Sequence, residues 1–235
     1  MKDYQPGQQE NENIAREDPA PYGNSEEQEE ARLLRIMNMT DMEKLHSFTQ
    51  MLRRNALYKN AKPQRLNTSF AMDVLDEELL QFWKGLNANQ VKYIMVGGFA
   101  TRFHGFDRAT DDLDMWLMDT VENRQNLRNA FKELGYGDFS SLEMMQFVPG
   151  WTNFYVGSGI ELDIMTYMKG LENYSFEECL SKASFADLGD VQVPFLHINH
   201  LIDNKKAVNR PKDQLDVLQL EKIKQIREKQ RKPSS

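Results

Sequence analysis

The stretch VKYIMVGGFATRFHGFDRATDDLDMWL, residues 91–117, decides the fold. Tyr93, Ile94, Met95 and Val96 form an apolar run that ends at Gly97-Gly98, the pattern of a buried strand meeting a tight turn. Two adjacent glycines let the backbone come close to a bulky, charged group, because no Cβ stands in the way. Residues 99–104 suffice for a short helix, which Gly105 stops. The next strand carries Asp112-Leu113-Asp114-Met115-Trp116-Leu117. Side chains two apart on a strand share a face. Asp112 and Asp114 therefore point together, and Leu113 and Met115 point the other way, into a core. Two acids on one strand face repel, and a divalent cation between them removes that cost.

Before this stretch the periodicity predicts three helices. Residues 1–24 are rich in Gln, Asn, Glu, Pro and Gly and are expected to form a disordered acidic tail, because they cannot bury enough surface to offset ordering. A charged helix is expected over 25–37. Thr40-Asp41-Met42-Glu43 has the form of a capping box opening a second helix to about residue 58, with Met42, Leu45, Phe48 and Leu52 at helical spacing. This 40–58 helix is amphipathic, so its apolar side must meet the domain, a second copy or a partner protein. Residues 59–67 read as a linker. A third helix is expected over 69–86, its stripe made by Phe70, Val74, Leu75, Leu79 and Phe82.

After the stretch, Thr120 caps a helix over 121–134. Strands are expected at 151–156 and 160–166, turning at Gly157-Ser158-Gly159. In the second, Leu162 and Ile164 share one face, and Glu161, Asp163 and Met165 the other. A short helix at 174–182 and a hairpin over 185–195 follow. A helix starts at Asn199 and stops near Asn209, and Pro211 opens the last helix with Leu215, Leu218 and Ile223 inward. The expected organisation is a tail over 1–24, a helical extension and linker over 25–67, one α/β (α+β) domain with a mixed sheet of three to five strands over 68–221, and a basic end over 222–235.

The net charge of −7 is carried by residues 1–30, the tail and the start of the first expected helix, which hold Lys2 and Arg16 against nine acids; the remainder is balanced. The chain after residue 30 is therefore not acidic. The basic run over 222–232 reads as a solvated helix end, with contact to RNA or another polyanion as the other reading. No apolar run approaches the roughly 20 residues of a membrane helix, and the acidic start is no signal peptide. A single cysteine, Cys179, cannot pair within the chain, and a cytoplasmic address fits.

Three carboxylates stand out: Asp112 and Asp114 on one strand and Asp163 on another. If those strands are neighbours, the acids lie about 5 Å apart and can hold two Mg²⁺ ions, which suits in-line displacement at phosphorus. A glycine turn that opens a helix offers N–H groups to phosphate. With these residues in hand, the sequence resembles the DNA polymerase β-like nucleotidyltransferase superfamily, in its small bacterial minimal branch. Gly97, Gly98, Ala100, Gly105, Arg108, Thr110, Asp112 and Asp114 match the pattern GG-x-A-x-x-x-x-G-x-x-R-x-T-x-DLD. Lys205, Arg210-Pro211-Lys212-Asp213 and Asp216 match its later part. Gly98 replaces the serine found in many members.

The resemblance implies a polymerase β-like fold and Mg²⁺-dependent transfer of a nucleoside monophosphate from an NTP, ATP among them, to a protein, tRNA or small-molecule acceptor, with release of pyrophosphate. It implies Asp112, Asp114 and Asp163 as catalytic metal ligands, Gly97 and Gly98 at the phosphates, and Lys205 and Arg210 as neutralising cations. Small members often act in toxin–antitoxin pairs. A module of this fold that binds a partner protein or nucleic acid without turnover is the rival reading. Arg108 and Thr110 are expected to fix the loop before the acids, Asp213 and Asp216 to pair with Arg210 or Lys205, and His104 and Trp116 to pack.

Overall fold

The computed structural model describes residues 26–60, 74–147, 152–157 and 159–231. The expected tail, the linker from residue 61 and the first turns of the third helix, with Phe70, lie outside the described residues, whereas Lys59 and Asn60, expected in the linker, continue the second helix. Helix α1 (Glu26–Met37) and helix α2 (Asp41–Asn60) come first. Thr40 and Glu43 form the capping box: the Glu43 N–H donates to Thr40 Oγ1 at 3.2 Å, and the Thr40 N–H donates to Glu43 Oε2 at 2.8 Å. Helix α3 (Val74–Ala88) leads to strand β1 (Tyr93–Met95), helix α4 (Gly97–His104), strand β2 (Asp112–Leu117) and helix α5 (Val121–Glu133). Strands β3 (Asn153–Val156) and β4 (Ile160–Met165), helix α6 (Phe176–Ser181), strands β5 (Ser184–Asp187) and β6 (Gln192–Phe195), and helices α7 (Ile198–Val208) and α8 (Pro211–Arg231) complete the fold.

The chain is α/β, with eight α-helices and one six-stranded mixed sheet among the described residues. The strand order is β3-β4-β2-β1-β6-β5. β1 and β2 are antiparallel, as are β3 and β4, and β5 and β6; β2 runs parallel to β4, and β1 to β6. The sheet is wider than the three to five strands expected. The late hairpin joins through one parallel pairing, Met95 with Phe195, which no local pattern announces.

Helix α4 sits at the centre. Phe99 stacks on Phe103 at 4.2 Å and meets Phe48 of α2, Trp83 of α3 and Phe195 of β6. The apolar side of α2, with Leu45, Phe48, Met51 and Leu52 all buried, is thus covered by the domain itself. That face is not left for a partner protein. The buried residues of the extension belong to the same core as those of the domain.

Two stripes differ from expectation. Val74 is 61% exposed; the buried side of α3 is Leu75, Leu79, Leu80, Phe82, Trp83 and Leu86. On α8, Leu215 and Leu218 are about half exposed, while Asp213, Asp216, Gln219, Leu220, Ile223 and Ile226 face inward. The first two inward turns of α8 are acidic because cations wait beneath them. Helix α8 also runs unbroken through residue 222, so the basic end is a continuation of the domain's last helix. No helix among the described residues is long and apolar enough to cross a membrane.

Candidate active site

Strand β2 alternates as its sequence demands. Leu113 and Met115 are fully buried, and Asp112 and Asp114 are partly exposed on the other face. The parallel pairing of β2 with β4 sets Asp114 directly beside Asp163, and Asp112 beside Glu161. Cross-strand partners share a face and lie about 5 Å apart. Asp112, Asp114 and Asp163 therefore stand on one side of the sheet. Glu161 is a fourth carboxylate on that side. Sequence reading put it on the face of Asp163 but could not put it opposite Asp112, because register is a long-range property. Strand β3 extends the two rows: Asn153 lies across from Asp163, and Tyr155 across from Glu161.

The glycine turn abuts this face. Gly97 has φ +54°, and a Cβ there would fall 1.7 Å from Asp114 Oδ2. Only glycine accommodates both the backbone conformation and the carboxylate. No side chain caps the start of α4, and the Gly98 N–H donates to Asp114. The carboxylate takes the place an anion holds at a helix N-terminus. Burial, with the Asp112 charge added, pushes the Asp114 carboxyl upward; Lys205, the Gly98 N–H and Arg108 act against that.

Gly98 itself is explained by Thr110. A Cβ at position 98 would lie 2.6 Å from Thr110 Cβ and 2.7 Å from its Oγ1. The threonine hydroxyl thus stands against the position a serine would take there. It donates to Asp112 Oδ1 at 2.8 Å, while Asn55 Nδ2 of α2 donates to the Thr110 carbonyl at 3.0 Å. Thr110 fixes the approach to the acids, as its position suggested.

Beneath α8 lies a buried ion network. Lys205 Nζ is 3.2 Å from Asp213 Oδ1 and 2.8 Å from Asp216 Oδ2, and all three side chains are at most 3% exposed. Arg108 Nε is 3.4 Å from Asp216, and Arg210 Nε donates to Asp213 Oδ2 at 2.7 Å. Burial pushes the Asp213 carboxyl up, but the Arg210 hydrogen bond and the Lys205 charge outweigh it and hold it at about 2. The Lys205 ammonium is committed to two aspartates, and the Arg210 side chain is more than half exposed. A cavity of about 320 Å³ opens beside the network, lined by Arg108, Thr110, Asp112, Lys212, Leu215 and Asp216 among others.

Among the described residues, no three His, Cys, Asp or Glu side chains are gathered closely enough to hold a metal ion. The backbone brings the acids to one face, but three head groups turn to separate donors. Asp112 takes Thr110, Asp114 takes the Gly98 N–H, and Glu161 takes Asn153 Nδ2. The donor set is oxygen only, on adjacent strands, which is the chemistry of a hard divalent cation. His104 is a core residue: its Nε2 lies 2.8 Å from the Leu196 carbonyl, and burial lowers its pKa to about 3. Trp116 is 5% exposed and packs edge-on against Phe176. No family model matches the sequence, and no curated protein is significantly similar to it.

Proposed function

We propose that the chain is a Mg²⁺-dependent nucleotidyltransferase of the polymerase β-like fold. It would transfer a nucleoside monophosphate from an NTP to an acceptor hydroxyl and release pyrophosphate. The observation that carries the reading is the β2–β4 register, with Asp114 beside Asp163 and the glycine turn of α4 pressed against Asp114. Asp112, Asp114 and Asp163 would hold the magnesium. When bound, the ion supplies charge neutralisation at the transferring phosphoryl group. Asp163, on the strand away from the glycine turn, is suited to accept the proton of the acceptor hydroxyl.

The N–H groups at Gly97 and Gly98 would turn to phosphate oxygens, with the Gly98 N–H leaving Asp114 for them. Lys205 and Arg210 would act on the site as charges held within their network by Asp213 and Asp216, while the exposed Lys212, which lines the cavity, is the cation placed to meet a triphosphate there. The separated carboxylates favour one alternative, a non-catalytic module of the same fold.

The test is pyrophosphate release by the purified chain with Mg²⁺ and each NTP. Asp112→Asn and Asp163→Asn are expected to lose on the order of 100-fold or more, as when a charge-stabilising group is removed at a reacting centre. NTP binding without release, indifferent to both substitutions, would instead establish the module.

A further inference from the structure

The face that carries the acids does not end at β4. One row runs Asp112, Glu161, Tyr155 across three paired strands, and the other runs Asp114, Asp163, Asn153. The opposite face of β3 is covered: Phe154 meets Phe131 at 5.4 Å and Phe139 at 5.6 Å, and Val156 is fully buried. The acid face is open there. Asn153 is exposed, and Tyr155 is 69% exposed. With the glycine turn on the β1 side of the acids, phosphates bound by α4 would leave the β3 side for whatever attacks. Among the described residues of β3, the hydroxyl on that face belongs to Tyr155. Tyr155 stands two strands from Asp112, about 10 Å between Cα atoms at ordinary strand spacing, and its side chain is long enough to lean over the row.

We infer that Tyr155 is a site of self-nucleotidylation, the phenol serving as acceptor in cis. This rests on the nucleotidyltransferase reading above. In the step, Tyr155 Oη forms a bond to the α-phosphorus of the NTP. The bond from that phosphorus to the α,β-bridging oxygen breaks, and its electron pair leaves with pyrophosphate. The phenolic proton passes to Asp163, the carboxylate given that role above, which lies diagonal to Tyr155 on the same face of the β3–β4 pair. No oxidant or further reactant is needed. The product carries a nucleoside monophosphate in phosphodiester linkage on the same face as the acids, so one turnover fills the acceptor side. An enzyme modified in this way is occluded toward other acceptors until the adduct is removed.

The experiment incubates the full chain with Mg²⁺ and each α-labelled NTP, then maps the label by peptide mass spectrometry. The inference expects one nucleoside monophosphate on Tyr155, formed at a rate independent of protein concentration. Tyr155→Phe and Asp112→Asn should abolish the label. Tyr167→Phe should keep it, because Tyr167 is 59% exposed but bonded to Glu172 elsewhere on the surface. Circular dichroism checks that Tyr155→Phe is folded. Pyrophosphate release with no label on Tyr155, or with label on another residue, overturns the inference and leaves the enzyme reading standing. Failure to bind any NTP, followed by calorimetry with a non-hydrolysable analogue, overturns both.

Discussion

Replacing Lys205 with methionine removes the one cation among the described residues that touches both buried aspartates of α8. Its contacts with Asp213 and Asp216, at 3.2 and 2.8 Å, are each worth roughly 5 kcal/mol of attraction at an effective dielectric near 20. Most of that is offset by desolvating three ions. The substitution forfeits the attraction but leaves both carboxylates buried, with only Arg210 and Arg108 at their outer sides. The expected cost is about 3–5 kcal/mol, a large part of the roughly 5–15 kcal/mol that holds a domain together. At this chain length that lowers the melting temperature by roughly 6–20 °C.

Urea denaturation followed by circular dichroism measures it. Lys205→Met combined with Asp216→Asn should recover a good part of the loss, because the second change removes one uncompensated charge. A single-mutant cost below about 1 kcal/mol, or a double mutant as unstable as the two single losses added, would refute the reasoning. Weakened NTP binding at unchanged stability would instead return Lys205 to the phosphates.

Three further outcomes are expected. His104 stays neutral in the fold, with its pKa near 3, while the unfolded chain takes up a proton below about 6.5. Stability should therefore fall as pH drops through this window, by about 2 kcal/mol at pH 5; His104→Gln should flatten the dependence in urea melts at pH 7 and 5. Gly98→Ser should destabilise by about 1–3 kcal/mol, because its Cβ meets Thr110. Adding Thr110→Gly, which removes the Thr110 Cβ that a side chain at 98 would meet, should restore much of that, and strict additivity of the two changes in the same melts would contradict the contact. Gly97→Ala combines a left-handed backbone with a clash on Asp114; it should abolish nucleotide binding in calorimetry, and unchanged affinity would remove Gly97 from the site.

Much of the site was readable because its logic is local. Alternation in Asp112-Leu113-Asp114-Met115 fixes which side chains turn outward, and the double glycine announces a turn. The capping box at Thr40 and the left-handed stop at Asn209, φ +58°, are likewise local chemistry. What escaped is long-range. The opposition of Glu161 to Asp112 and the entry of β6 beside β1 depend on register and topology, which leave no mark in a short window. The inward face of α8 differs from the expected leucine stripe because hydrophobic periodicity takes leucines to be buried. There Asp213 and Asp216 are buried by Lys205, Arg108 and Arg210, and Leu215 and Leu218 face out. The helix over 40–58 was correctly amphipathic, yet its sequence could not say that Phe99 is what it covers.

The most direct test of the central claim is a crystal structure of the chain with Mn²⁺ and a non-hydrolysable NTP, read by anomalous scattering. The account predicts manganese peaks among the carboxylates of Asp112, Asp114 and Asp163, with the phosphates against the start of α4. Manganese bound elsewhere, or Asp163 left outside the coordination of every ion, would contradict it.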